Sequence, residues 1–319
     1  MRLFLAAITA VLICGAALAQ EFPLTITHKF GTTTIEEVPK RVASVDYNGA
    51  DNLLALGIQP VAVRYWYGDF PDAVWPWAAD RLTSSPEILR GDLNFEQVAA
   101  SEPDVIIALW SGITAYEYDQ LSKIAPVIAV PEGVGDYALT WDQLALIAGE
   151  STGRRDIAEA LVADLQNRMA DMAARNPDWQ GKTAVVAYHW RRSPGVYAGD
   201  DIRPLILSNL GFRTPEAVNE IMDDGEFAIT ISEEELPIID ADLLIWVTDG
   251  SQGQRNRIER MALRPSLSAY AEGREVFTDG ILTGAFSHGS LLSLPYVLDA
   301  LEPKIAAAVD GDPTTIVPE

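Results

Sequence analysis

Two short stretches set cations beside flat aromatic rings, a combination suited to holding an anionic, partly apolar molecule. After the apolar run Val61-Ala62-Val63 the chain reads Arg64-Tyr65-Trp66-Tyr67, and Trp75 and Trp77 follow a few residues later. After Ala184-Val185-Val186-Ala187 it reads Tyr188-His189-Trp190-Arg191-Arg192, with Tyr197 close behind. A guanidinium next to an aromatic face supplies charge and flat contact together. Trp110 ends a third apolar run and is another wall residue, while Arg203 stands at a helix start beside Pro204. Adjacent arginines matter more in an acidic chain, because a local positive patch must hold against the global field. The histidines are His28, His189 and His288. Direct zinc or manganese capture gathers several His and carboxylates, so three scattered His argue against a metal site built by the protein alone. The linear metal-hydrolase motif His-Glu-x-x-His is absent, which argues against an exported hydrolase of that kind.

The composition narrows the partners. Among 319 residues, 48% are hydrophobic, and 46 acidic residues face 23 basic ones for a formal charge of −23. Nucleic acid and anionic membrane surfaces would be repelled. Met1-Arg2 leads into an apolar run to Leu18 and then Ala19-Gln20. A short positive start, an apolar stretch and small residues at Ala17 and Ala19 predict a secretory signal, residues 1–19, cleaved after Ala19. The run is short for a transmembrane anchor. Lipid anchoring at Cys14 is disfavoured by Ile13 before it, where processing wants a small side chain. Cleavage would remove the sole thiol, and with it Cys-based metal, redox and nucleophilic chemistry.

The elements that must position the aromatic and cationic residues alternate between buried strands and amphipathic helices. Apolar runs at 42–45, 61–63, 105–108 and 127–130, and again at 184–187, 243–247 and 275–277, read as strands of parallel α/β sheets. We expect an N-terminal α/β lobe over 20–150, a linking helix over 151–177, a C-terminal α/β lobe over 178–310 and a tail over 311–319. The linking helix is predicted from apolar residues at 157, 161, 165, 169 and 172, with Ser151 or Thr152 as its cap. In open α/β lobes, ligands meet the loops at the carboxyl ends of strands, which is where both aromatic and cationic stretches fall.

The halves echo each other. Asn94-Phe95-Glu96 leads to Pro103-Asp104-Val105-Ile106-Ile107, and Ser232-Glu233-Glu234 leads to Ala241-Asp242-Leu243-Leu244-Ile245, with equal spacing from Glu to Asp. Leu56-Gly57-Ile58 likewise matches Leu210-Gly211-Phe212. Two similar lobes facing each other across a cleft follow from this pairing.

Taken in order, Val38-Pro39-Lys40-Arg41-Val42, Asp51 to Val61, Asn94 to Ile107, Leu121-Ser122-Lys123-Ile124-Ala125-Pro126 and Ser287 to Ala300 resemble the periplasmic iron-siderophore binding proteins of ABC importers. The resemblance implies two Rossmann-like α/β lobes joined by one long rigid helix, with a shallow cleft between them. It implies capture of a ferric siderophore, no cofactor and no catalysis, and delivery to a membrane permease from the periplasm. Haem, cobalamin or another metal chelate is the alternative cargo on the same scaffold. One Glu on each lobe pairs with permease arginines in such proteins, and the matching positions are Glu96 and Glu234, although Glu233 and Glu235 flank the latter. The expected ligand-binding residues are Arg64, Tyr65, Trp66, Tyr67, Trp77, Trp110, Tyr188, His189, Trp190, Arg191, Arg192 and His288. His189 is placed to ligate iron or to hydrogen-bond the chelate. A monomer is expected.

Overall fold

The computed structural model describes residues 21–223 and 225–318. The predicted signal segment and Cys14 lie outside them. An antiparallel hairpin, β1 (Leu24–His28) with β2 (Gly31–Ile35), precedes the first lobe. That lobe is built on β3 (Val42–Ser44), β4 (Ala62–Arg64), β5 (Glu87–Leu89), β6 (Val105–Ala108) and β7 (Val127–Ala129). The order is β5-β4-β3-β6-β7 with every pair parallel. The central strands are covered on both faces, which is why they read as unbroken apolar runs with no alternation.

The second sheet comprises β8 (Ala184–Trp190), β9 (Ser193–Tyr197), β10 (Ala228–Thr230), β11 (Leu243–Val247) and β12 (Glu275–Phe277), in the order β10-β9-β8-β11-β12. Here only β8, β11 and β12 run parallel, while β8–β9 and β9–β10 are antiparallel. The two sheets therefore share three strands of one plan, and the second carries a hairpin where the first has parallel strands. This changes the reading of one key stretch. Tyr188-His189-Trp190 is not a loop after a strand; it continues β8, and Trp190 pairs with Ser193. Only Arg191 and Arg192 are left for the turn.

The echo has a physical basis. Asn94 caps the helix Phe95–Ala100 by accepting the Glu96 and Gln97 N–H groups, and Ser232 caps the 3-10 helix Glu233–Ile239 through a capping box with Glu235. Asp104 accepts the N–H groups of Lys40 and Arg41 just before β3, and Asp242 accepts that of Thr183 just before β8. In each lobe the paired Asp ties the start of one central strand to the start of its neighbour.

The spanning helix runs Arg155–Arg175, 21 residues or about 32 Å long. It starts later than expected. Ser151 ends the preceding helix, Trp141–Ser151, and the Thr152 hydroxyl donates back to the Ala148 carbonyl, so neither caps the long helix. Its buried stripe is Ala158, Val162, Leu165, Met169 and Met172, and Ile157 is 43% exposed. Ala158 belongs to the core of the first lobe, whereas Val162 to Met172 belong to that of the second. One helix thus shares both cores. Arg168 with Asp299 and Arg175 with Glu302 join it to the last helix, Ser293–Ala308.

Candidate ligand cleft

A cavity of about 790 Å³ opens between the lobes. The first lobe contributes Tyr67 and Trp75, beyond the end of β4. The second contributes Tyr188, His189, Trp190 and Arg191 at the β8 end, Tyr197 on β9, and Val247, Thr248 and Asp249 at the end of β11. Gln254 and Arg257 come from the helix Gln252–Glu259, and Gly280 and Thr283 from the start of the helix Gly280–His288.

The two walls differ in chemistry. On the first lobe, Tyr67 meets Trp75 edge to face at 5.2 Å, and Trp75 stacks on Trp77 at 4.9 Å. Gly284 allows this approach, since a Cβ there would lie 2.2 Å from the Trp75 ring. The second lobe adds three further rings, Tyr188, Trp190 and Tyr197, together with the cations and most of the polar groups of the wall. Arg191 holds a left-handed backbone with φ 57°, a conformation ordinarily left to glycine. The two-residue turn between Trp190 and Ser193 imposes it, and Trp190 is 66% exposed beside it. Neither Arg191 nor Arg257 makes an ion pair among the described residues. His189 is 5% exposed and its Nδ1 has no hydrogen-bond partner. Burial, and then the Arg257 charge, push its pKa down.

Beneath this wall lies Arg203. Its guanidinium sits 4.1 Å from the Tyr197 ring centre, pairs with Asp201 at 2.9 Å and donates to Ser287 Oγ at 2.8 Å. It is 8% exposed, so it supports the wall from behind.

Seven of the expected site residues stand off the cavity surface. Arg64 lies over the Tyr47 ring at 4.1 Å and donates to the Ser111 carbonyl at 3.2 Å. Tyr65 is covered by Arg90 at 4.0 Å. Trp66 and Trp110 meet at 5.4 Å within an aromatic group that Tyr47 and Tyr137 complete. Trp77 donates its indole N–H to Asp51 at 2.7 Å. Arg192 is exposed at the turn and does not reach the cavity. His288, expected in a polar loop near the ligand, is 4% exposed at the end of a helix, within 5.2–6.0 Å of Trp66, Tyr67, Trp75 and Trp77. It is core between the lobes, with Nδ1 hydrogen-bonded to the Gly284 carbonyl at 2.9 Å and a pKa lowered by burial.

Sequence reasoning missed the groups that join the lobes. Asp51, 3% exposed, accepts from Ser290 Oγ at 2.6 Å as well as from Trp77, while Asn52 accepts the Leu291 N–H and Asn48 donates to the His288 carbonyl. It missed Asp46 too. That carboxyl is buried after β3, accepts the Trp110 N–H at 2.7 Å, and is pushed up to about 7 by desolvation. Asp46 follows directly on β3 and Asp51 stands in the first turn of the next helix, Ala50–Ala55, so the rule that sites gather where strands end and their helices begin would have found them. Arg257 carries no such signal, lying in a polar helix with no motif.

The two paired glutamates are exposed near the starts of their helices. Glu233 holds the Ala262 N–H and Glu235 holds the Ser232 N–H and hydroxyl. Glu234 makes no hydrogen bond or ion pair among the described residues, and the Glu96 carboxylate likewise makes none. His28 is structural, bonded through Nε2 to Thr33 Oγ1 at 2.8 Å. Among the described residues no three His, Cys, Asp or Glu converge on a metal-sized site, and no helix is long and apolar enough to cross a membrane.

Comparison with known proteins agrees with this architecture. Residues 42–281 match the family described as periplasmic binding protein. The chain is 29% identical over 294 residues to the probable siderophore-binding lipoprotein YfiY of Bacillus subtilis, covering 87% of this chain and 86% of that one. A periplasmic solute binding protein of Mycobacterium smegmatis superposes with a TM-score of 0.79 at 30% identity, over 89% of this chain and 98% of that one. PiaA, an iron uptake ABC transporter substrate-binding protein of Streptococcus pneumoniae, superposes in its ferrichrome complex with a TM-score of 0.77 at 27% identity, over 90% and 99%. Because the match runs from β3 through β12, taking in both sheets and the helix between them, the chain belongs to the periplasmic binding protein family.

Proposed function

We propose that this protein captures a ferric siderophore in the cleft and delivers it to the membrane permease of an ABC importer. The observation that carries the reading is the cavity itself: about 790 Å³, with aromatic rings from both lobes and, on the second, two arginines that make no ion pair among the described residues. That volume suits a compact metal chelate, and flat apolar contact with a few fixed polar groups is how such sites orient a ligand. YfiY by its name and PiaA by its bound ferrichrome support the cargo class. The protein acts as a monomer on the outer side of the cytoplasmic membrane, released by cleavage after Ala19 with no lipid at Cys14. Glu96 and Glu234 dock the lobes on permease arginines, and the engagement of Glu233 and Glu235 elsewhere supports the choice of Glu234.

Tyr67 and Trp75 line the cavity, with Trp66 and Trp77 against them, so intrinsic tryptophan fluorescence reports occupancy. Titration with ferric hydroxamate, ferric carboxylate and ferric catecholate chelates, haem and cobalamin tests the reading. Saturable quenching by at least one ferric chelate is expected. Quenching by haem or cobalamin alone overturns the siderophore assignment.

A further inference from the structure

We infer that the chelate this cleft takes is anionic, its surplus charge seated on Arg191 and Arg257 of the second lobe and its apolar faces against Tyr67 and Trp75 of the first. The inference rests on the siderophore reading and narrows it to a substrate class.

The first lobe offers two of the cavity rings, Tyr67 and Trp75, and no charge. The second offers both of its cations, one at the β8–β9 turn and one on the helix Gln252–Glu259. Among the described residues Arg155, Arg168, Arg175, Arg203, Arg264 and Arg274 pair with acids, while others such as Arg64 and Arg192 do not. Arg191 and Arg257 make no ion pair there either, and they alone of the arginines line the cavity. The acid on their wall, Asp249, holds the Ser251 N–H at 2.8 Å with one carboxylate oxygen, in a local turn.

Arg191 adds a second, independent observation. Its left-handed backbone is a sterically unfavourable place for a side chain, and glycine would occupy it without cost. Keeping arginine there places a guanidinium on the cavity wall at the expense of local stability. His189, almost wholly buried within reach of the Arg257 charge and with Nδ1 unpartnered, is a further polar group on the same wall.

Ligand charge then decides the energetics. Iron(III) held by three hydroxamates is neutral, so on binding it would strip water from two guanidiniums and return no charge to them. Carboxylate and catecholate complexes carry excess negative oxygen, which accepts charge-assisted hydrogen bonds from arginine. That shared chemistry is what the wall recognises.

The test titrates the full protein with iron(III) citrate, an iron(III) tris-catecholate and ferrichrome, at low and raised salt. At least one anionic complex should bind about tenfold or more tighter than ferrichrome and weaken with salt. Arg191→Ala combined with Arg257→Ala should weaken that complex roughly a hundredfold while shifting ferrichrome affinity by less than about tenfold in either direction. The citrate and catecholate arms separate the two sources of anionic oxygen. Arg191→Gly guards against misfolding, since it relieves the backbone while removing the charge: it should weaken the anionic complex with no loss of thermal stability. Ferrichrome binding as tightly as both anionic complexes, or arginine variants that leave anionic affinity intact, overturns this inference while the siderophore reading stands. If none of the three binds and haem or cobalamin does, the siderophore reading itself has failed.

Discussion

Replacing Asp51 should loosen the joint between the lobes by an amount that can be worked from its contacts. Its carboxylate accepts the Ser290 hydroxyl at 2.6 Å and the Trp77 indole N–H at 2.7 Å, linking two segments 239 residues apart in sequence. The site is 3% exposed, so water cannot replace the lost acceptor. In Asp51→Ala the buried Ser290 hydroxyl and the half-buried Trp77 N–H are left unpaired, each at about 1–3 kcal/mol, for a loss of roughly 2–6 kcal/mol. At ~2–4 °C per kcal/mol for a chain of this order of size, Tm should fall by roughly 4–24 °C. Both donors converge on Oδ2, so Asp51→Asn with its amide oxygen in that place keeps both bonds, loses only their charge assistance, and should cost less than Asp51→Ala. Thermal unfolding followed by circular dichroism measures both, and a cycle with Ser290→Ala isolates the hydroxyl–carboxylate coupling, expected at ~0.5–3 kcal/mol. A Tm change below about 1 °C in Asp51→Ala, or strict additivity with Ser290→Ala, would show that this contact does not hold the lobes and that the reasoning from burial is mistaken.

Three other perturbations address the wall, a buried acid and the docking surface. Gly284→Ala drives a Cβ into the Trp75 ring, so stability should drop by about 1–3 kcal/mol and ligand affinity should fall with it, read by the same fluorescence titration. Asp46 is raised to about 7 in the folded protein from 3.8, so between those values the unfolded chain releases a proton that the folded one keeps, and wild-type stability falls as pH rises. Asp46→Asn should remove that slope, gaining on the order of a few kcal/mol on wild type above pH 7 and nothing below about pH 4; parallel pH profiles of urea unfolding would contradict this. Glu96→Ala with Glu234→Ala should leave ligand titrations unchanged and abolish stimulation of permease ATPase activity in reconstituted vesicles, whereas weakened ligand binding would mean these carboxylates belong to the cleft.

Much of the architecture was readable before any coordinates. The buried strands announce themselves as Val, Ile and Ala runs because a strand covered on both faces has no polar side to alternate with. The paired units around Glu96 and Glu234 were legible because capping and strand-start ties use short side chains at fixed local offsets. The hairpin at β8–β9 was not, since a parallel strand and the first strand of a hairpin look alike until the partner is known. The helix start was misplaced by a few residues because Ser151 and Thr152 can equally cap a new helix or bond back to the one they end; here they bond back.

The site divides along the same line. Local sequence sets which stretches bear rings and guanidiniums and which strand ends present them, and it assigned Tyr67, Tyr188, His189, Trp190 and Arg191 to the region they occupy. It could not tell Trp75 on the cavity from Trp77 behind it, nor Arg191 from Arg192, because side chains one or two positions apart differ only in what packs against them. Whether His288 met ligand or protein depended on four rings from the other lobe. Arg257 gained its place solely because its helix folds against β8, and the Asp51 joint exists because loops far apart in the chain meet over buried polar groups that must find partners. Composition, period and capping are local and were settled by the residues themselves; which ring faces the cavity and which charge stays unpaired are relations between distant segments, and only the tertiary structure decides them.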